Sequence, residues 1–378
     1  MTTLRQTYTT AQYSRAGWRH FDGGLLAAVV GLMVIGILMI NSATLNSPDP
    51  DLAGAARRQA IYALIGLIVM FITAGIDYRI WYNFRRPIYV VTLIFLGITL
   101  LSGSSEIGGV RRWLDLSAFP VQPAELAKVL LILALAGFLS AREKVIGKFK
   151  TVFTSLIYTG IPAALVFLQP NLSTAVVFIF IWLVMIVAAG ASSKHLTLLG
   201  GLISLGLPSI WLAMADYQRE RILSFLDPNR NPGAKYNLDQ ALISVGSGGW
   251  LGQGYSSGTQ SQLHFLKVRH TDFIFSVTAE ELGFVGAVLL LGLLALMLYR
   301  MIRIADRSRD RFGQLIVVGV AAMIFFQAAI NIAMNLNMGL VAGLPLPFVS
   351  YGGSSLITML LAIGLAQSVI MRHKKIEF

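Results

Sequence analysis

Cysteine is missing from all 378 residues of this chain. Disulfides, thiol nucleophiles and thiolate metal sites are therefore excluded together. Charge is scarce as well. Asp, Glu, Lys and Arg make up 13% of the residues, against roughly 25% in a soluble domain, too few to coat a water-facing surface. What charge there is leans to one sign, with 30 Lys and Arg against 18 Asp and Glu and a formal net charge of +12. In a soluble protein such an excess raises nucleic acid as a partner. With 56% hydrophobic residues and a mean hydropathy of +0.70, it reads instead as the basic loops that a membrane protein keeps in the cytoplasm, and nucleic acid is set aside. His264 and His270 lack an HExxH or a set of paired ligands, so no metal site is assigned. The glycines from Gly246 to Gly258 lack the Lys-Ser/Thr and preceding strand of a phosphate-binding loop and suggest tight turns. No strong internal repeat is present.

What is there is a series of apolar runs. A helix needs about 20 such residues to cross the hydrocarbon core, and the runs place about ten spans near 23–44, 60–76, 87–102, 124–140, 152–168, 172–190, 196–215, 273–299, 315–336 and 354–371. The fold class expected is an all-α integral membrane protein, with an N-terminal segment 1–22, a membrane domain 23–372 and a tail 373–378. The first run is long enough to span and no small-residue cleavage site follows it, so it reads as an uncleaved anchor. Loops on the N-terminal side hold roughly twice the Lys and Arg of the opposite loops, most clearly Arg300, Arg303, Arg307, Arg309 and Arg311. The positive-inside rule then puts both termini in the cytoplasm. Three outer segments stand out: 103–122, the long connection 216–271 between the seventh and eighth spans, and 340–353. The long one contains Ile222, Leu223, Phe225, Leu226, Trp250, Leu263 and Phe265. It is too apolar for disorder and is expected to fold onto the outer membrane face.

Ionisable groups inside spans are costly and default to functional candidates. Glu125 and Lys128 stand three apart and share one helix face, either as a pair lining a polar cavity or as a structural ion pair. Asp272 stands where the long outer segment meets the eighth span, and its ordinary reading is a helix cap. Glu280 and Glu281 fall roughly 12 Å deeper at 1.5 Å per residue, so at least one of them should face protein or water. Arg111, Arg112, Arg219, Arg221 and Arg269 on the outer side suit a lipid phosphate or diphosphate, or balance Asp216, Glu220 and Asp227.

These residues also carry a resemblance. The runs Arg221-Ile-Leu-Ser-Phe-Leu-Asp-Pro228, Gly258-Thr-Gln-Ser-Gln262, Arg269-His-Thr-Asp-Phe-Ile-Phe275 and Ala279-Glu-Glu-Leu-Gly283 are similar to those of the SEDS family (shape, elongation, division and sporulation). So are Arg112-Trp113-Leu114-Asp115, Gln122-Pro-Ala-Glu-Leu-Ala-Lys128 and Pro345-Leu-Pro-Phe-Val-Ser-Tyr-Gly-Gly-Ser354. The motifs follow family order over about residues 20–372, and the Gly-Thr-Gln-Ser-Gln stretch resembles the rod-shape branch more than the division branch. The resemblance implies a peptidoglycan glycosyltransferase that polymerises lipid II at the outer face of the cytoplasmic membrane, beside a class B penicillin-binding protein. It implies Asp272 as the catalytic residue. The substrate-binding set it implies is Glu125, Lys128, Arg111, Arg112, Trp113, Gln169, Arg269, His270, Thr271, Ser350 and Tyr351. No cofactor is assigned, and a divalent cation stays open. Two departures are visible. Gln169-Pro-Asn-Leu-Ser-Thr174 has Asn171 where the family has Asp, and the segment before Pro345 is several residues shorter than usual.

One carboxylate suffices for the implied chemistry. A glycosidase needs a second acid because its leaving group must be protonated, whereas a lipid diphosphate leaves as a stable anion and needs only cations. Two other classes compete, a flippase for lipid II and a scaffold that only recruits the penicillin-binding protein. A transporter site belongs near the midplane, while the polar motifs here gather on one side.

Overall fold

The computed structural model describes residues 18–45, 49–102, 114–115, 120–227 and 230–373. Helices carry the architecture: α1 Gly23–Thr44, α2 Ala55–Gly75, α3 Arg85–Ser102, α4 Pro123–Ser140, α5 Phe149–Leu168, α6 Leu172–Ala188 and α7 Ser193–Ala213. After them come α8 Asp216–Leu226, α9 Pro232–Ser247, α10 Thr259–Gln262, α11 Ile274–Asp306, α12 Arg311–Asn335 and α13 Gly353–Met371. Each of the ten expected stretches holds one long helix. Among the described residues, seven helices (α1, α2, α4, α5, α11, α12 and α13) are long and apolar enough to cross a membrane, and α6 is apolar but shorter. One feature was not anticipated from the sequence: residues 103–122 contain a two-residue antiparallel ladder, Leu114 opposite Val121 and Asp115 opposite Pro120.

The helix α4 is buried on every side and forms the centre, packed by α3, α12, α13 and α6. Around it, Val34, Leu38, Leu64 and Ile68 turn outward, as residues facing hydrocarbon do. Apolar burial drives nothing between helices in lipid, so close approach of small residues matters. Gly364 of α13 supplies it, since a β-carbon there would lie 1.9 Å from Thr73 Oγ1 of α2. Asp22 caps α1, its Oδ1 accepting from the Leu25 N–H at 2.8 Å. Asp310 caps α12 in the same way through the Gly313 N–H at 2.8 Å.

The long helix α11 is broken. Gly283 has φ 67° and ψ −164° inside it, so backbone groups on both sides lose their helical partners. A broken helix at membrane depth is tolerated only where other groups satisfy that backbone. The glycine-rich turn after α9 does so. The N–H groups of Gln253 and Gly254 donate to the carbonyls of Glu280 and Glu281 at 2.9 and 3.1 Å, and those of Phe284 and Val285 donate to Gly249 and Trp250 at 2.9 and 3.2 Å.

Both carboxylates on this stretch also bind protein. Glu280 accepts from the N–H groups of Gln260 at 2.7 Å and Ser261 at 3.2 Å. Glu281 accepts from the Ser42 hydroxyl at 2.5 Å and the Ser256 N–H at 3.1 Å. The expensive depth of these acids is therefore matched by donors from α1 and from the Gly-Thr-Gln-Ser-Gln turn. That turn is consequently part of the scaffold. Gly252 sits at the crossing with φ 82°, and a β-carbon there would lie 2.1 Å from the Glu281 carbonyl. Gly252→Ala is expected to cost at least about 1–3 kcal/mol in backbone strain and to lower the melting temperature in detergent. Gly206→Ala, where nothing lies within 4 Å, should leave it unchanged.

Candidate active site

The end of the bundle where α1 and α12 finish and α4, α11 and α13 begin gathers most of the polar motifs. Asp272 lies there, two residues before α11. The ordinary role for such a residue, capping the helix, is not the one it takes. The N-cap is Phe273, and no side chain caps this helix. The backbone of Asp272 is instead pinned from α12. Its carbonyl accepts from Asn331 Nδ2 and from Asn335 Nδ2, both at 2.9 Å. Asn335 Oδ1 accepts in turn from the N–H and hydroxyl of Ser276 at 3.0 and 2.7 Å. Asn331 Nδ2 also donates to the Leu344 carbonyl at 2.9 Å. One polar face of α12 therefore sets the start of α11 and the segment before Pro345 at once.

The carboxylate itself is partly buried and lies against that segment, where a β-carbon added to Gly343 would stand 3.7 Å from Oδ2. Burial raises its pKa above the ordinary carboxylate value, opposed by the charge of Arg221 and a hydrogen bond from Thr271. The result is a more basic carboxylate that still has a cation nearby.

The segment after Pro345 clamps the residues before Asp272. The Ser350 hydroxyl donates to the Thr271 carbonyl at 2.6 Å and accepts from the Leu346 N–H at 2.8 Å. The Tyr351 N–H donates to the His270 carbonyl at 3.0 Å, while its hydroxyl accepts from Arg58 Nε at 3.1 Å. The rings of His270 and Tyr351 meet edge to face at 5.8 Å. Burial, with the Arg269 charge beside it, pushes the His270 pKa down to about 4, so this imidazole is neutral at pH 7. Gln59 of α2 closes the frame, donating to the Ser350 carbonyl and accepting from the Gly352 N–H, both at 3.1 Å.

The structure distributes the other expected residues. Glu125 and Lys128 form an ion pair at 2.7 Å, 3% and 0% exposed, and Glu125 Oε2 is buried without a hydrogen-bond partner. The pair lies within the first two turns of α4, whose preceding residue Gln122 donates its N–H to the Ser354 hydroxyl at 3.3 Å. Arg269 donates from Nε to the Ala43 carbonyl at the end of α1, at 2.6 Å. Gln169 is buried and donates to the Leu96 carbonyl of α3 at 2.7 Å. Asn171 caps α6, its Oδ1 accepting from the Thr174 N–H at 3.3 Å, a role that needs no charge. Arg111, Arg112 and Trp113 lie outside the described residues. Among the described residues no group of three or more His, Asp or Glu could hold a metal ion. A cavity of about 140 Å3 lies between α8, α9 and the segment before Pro345, lined by Arg221, Lys235, Ser224 and Val341 among others. A carboxylate with a raised pKa that feels the charge of Arg221, itself a lining residue of this cavity, suits removal of a proton from a hydroxyl while an anion is held nearby.

The model of the cell cycle protein family of FtsW, RodA and SpoVE matches residues 24–375. The chain belongs to the FtsW/RodA/SpoVE family. This is the SEDS family indicated by the motifs. Among curated relatives, the peptidoglycan glycosyltransferase MrdB of Escherichia coli K12 is 36% identical over 360 residues, covering 95% of each chain. Among solved structures, a chain from a peptidoglycan synthase complex that coordinates polymerization and crosslinking is 33% identical, with a TM-score of 0.79 over 93% of this chain and 98% of that one. The rod shape determining protein RodA of Thermus thermophilus is 32% identical, with a TM-score of 0.69 over 94% of this chain and 98% of that one. With seven membrane-spanning candidates, this member of the FtsW/RodA/SpoVE family is a multi-pass membrane protein.

Sequence reasoning missed Asn331 and Asn335, which hold the Asp272 carbonyl. Gln327, Asn331 and Asn335 recur every four residues on α12 and are all buried. That spacing alone marks a polar stripe inside an apolar span. The stripe carries no charge, and in an apolar span only ionisable residues stand out.

Proposed function

We propose that the chain is a peptidoglycan glycosyltransferase that polymerises lipid II, with Asp272 as the general base. Ten helices cross the cytoplasmic membrane, with both termini in the cytoplasm and Asp272 at the outer face. The arginines Arg300, Arg303 and Arg307 at the far end of α11 support that orientation by the positive-inside rule. The observation that carries the reading is the disposition of Asp272. Its carbonyl is fixed by two buried asparagines, while its carboxylate is withheld from the helix cap and turned beside Gly343.

The 4-hydroxyl oxygen of an N-acetylglucosamine forms a bond to C1 of a lipid-linked N-acetylmuramic acid. Its proton passes to the Asp272 carboxylate. The bond from C1 to the diphosphate breaks, and the polyprenyl diphosphate leaves with the electron pair. Arg221 and Lys235, lining the adjacent cavity, stabilise the diphosphate charge as it develops, and Lys128 adds its field from inside the bundle. Arg111, Arg112 and Trp113 remain candidates for substrate contact, while His270, Thr271, Ser350 and Tyr351 build the frame and Gln169 and Arg269 bond to α3 and α1. A class B penicillin-binding protein supplies crosslinking, in keeping with the likeness to a synthase complex.

Purified protein given labelled lipid II should produce glycan polymer and should not scramble lipid II between leaflets. Scrambling without polymer would replace this reading by transport, and neither activity would leave a scaffold. Asn335→Leu tests the positioning from α12. Turnover should fall on the order of 10²-fold, the effect of roughly 1 Å of misplacement, while lipid II affinity stays near that of the unsubstituted protein. Equal losses in affinity and turnover would show collapse of the site instead.

A further inference from the structure

At the end of the bundle opposite Asp272, the residues before α1, the last turns of α11 and the end of α13 enclose a cavity of about 600 Å3. Arg19, Arg300 and Arg307 line it with His20, Asp22 and His373, and Arg303 lines a smaller cavity adjoining it. Asp22 is the one carboxylate among these lining residues, and it is already engaged as the cap of α1. Its contact with Arg300 Nη1 is long, at 3.5 Å. Arg300 Nε has no hydrogen-bond partner, and 42% of the side chain is exposed and open to a ligand. Guanidinium forks arranged around an open space in this way match a tetrahedral oxyanion.

We propose that this cavity binds the phosphate of an anionic phospholipid headgroup. The inference rests on the chain spanning a membrane and is independent of the glycosyl-transfer reading. The surroundings fit a lipid. Leu296 and Ile302 of α11 are 39% and 57% exposed, so the helix presents hydrocarbon-facing side chains within the turns that lead to Arg303 and Arg307. The basic residues therefore stand where a headgroup layer begins, with an apolar face below for acyl chains. A second basic cavity, of about 510 Å3 between Arg85, Arg142 and Tyr158, lacks this character. There Arg85 stacks over Tyr82 and donates to its carbonyl at 2.8 Å, and Arg142 stacks over Phe138. Those two guanidinium groups lie against aromatic rings and carbonyls, while Arg300 has only its long contact with Asp22.

The test titrates the full chain in detergent with phosphatidylglycerol, with phosphatidylcholine and with inorganic phosphate, scoring bound ligand by native mass spectrometry. Phosphatidylglycerol should bind in preference to phosphatidylcholine. R300Q/R307Q should weaken it roughly thirtyfold at about 1 kcal/mol per removed charge. K150Q/R309Q removes two exposed charges that do not line the cavity and should leave it unchanged. Arg307 is exposed, so R307Q alone keeps the fold and should still cost roughly fivefold. Displacement of phosphatidylglycerol by inorganic phosphate would identify the phosphate as the recognised group. Binding of inorganic phosphate with no preference for phosphatidylglycerol would make the ligand a free anion and overturn the lipid assignment. Equal retention of phosphatidylglycerol by R300Q/R307Q, or an equal loss in K150Q/R309Q, would overturn the site.

Discussion

Asp272→Ala is expected to lower the rate of glycan polymerisation from lipid II by about 10²–10⁴-fold, the usual contribution of a positioned general base, without unfolding the protein. The fold tolerates the change because the bonds that organise this region run through the backbone of residue 272. Asn331 and Asn335 grip the Asp272 carbonyl, Ser350 grips the Thr271 carbonyl, and Tyr351 grips that of His270. None of these is lost with the carboxylate. The variant should therefore keep its melting temperature and its lipid II affinity while losing turnover, measured in single-turnover reactions with labelled substrate. Asp272→Asn should behave the same way, since it preserves shape and removes basicity. A variant that keeps full turnover would place the base elsewhere.

The second large effect concerns Lys128. Its ammonium is buried in the bundle against Glu125. Removing one partner of a buried pair strands the other, at about 3–5 kcal/mol. Lys128→Met should therefore destabilise the protein strongly as well as slow it. The double variant Glu125→Gln/Lys128→Met separates the two effects. With no charge left behind, stability should return close to that of the unsubstituted chain, because a buried pair is often no better than a neutral replacement. If Lys128 stabilises the departing diphosphate, turnover stays low in the double variant. Recovery of both stability and turnover would reduce the pair to a structural element. Thermal melting and polymerisation assays on the same preparations give both readouts.

How legible this was in the sequence differs from element to element. The apolar runs placed the long helices because nothing except burial or lipid suits them. The expected end of the eighth span near residue 299 fell short of Asp306, since Arg300 and Arg303 are strong helix formers whose charges reach past the membrane edge. The break at Gly283 was invisible, because glycine is common in spans and its partner backbone lies some thirty residues earlier, at Gly249 to Gly254. The pairing of Glu280 with Gln260 and Ser261 was hidden for the same reason. Spacing did reveal Glu125 and Lys128, whose contact is local. Asp272 was ambiguous on spacing alone, since a carboxylate before a helix is commonly its cap. The structure removes the cap reading, since α11 has no side-chain cap, and the catalytic role is the proposal that the polymerisation assay must test. The bond from Arg269 Nε to the Ala43 carbonyl at the end of α1 was equally hidden, since the two residues lie far apart in sequence.

The account turns on the Asp272 carboxylate accepting a proton, and the pH dependence of single-turnover polymerisation tests that most directly. A base works only when deprotonated, so the rate should fall as pH drops through its pKa. Burial raises that pKa, so the acid limb should sit above the ordinary carboxylate range. The Arg221 charge holds the pKa down, so Arg221→Gln should move the limb to still higher pH, and the residual activity of Asp272→Asn should show no such limb. An acid limb that keeps its position in Arg221→Gln, or persists in Asp272→Asn, would mean that another group takes the proton.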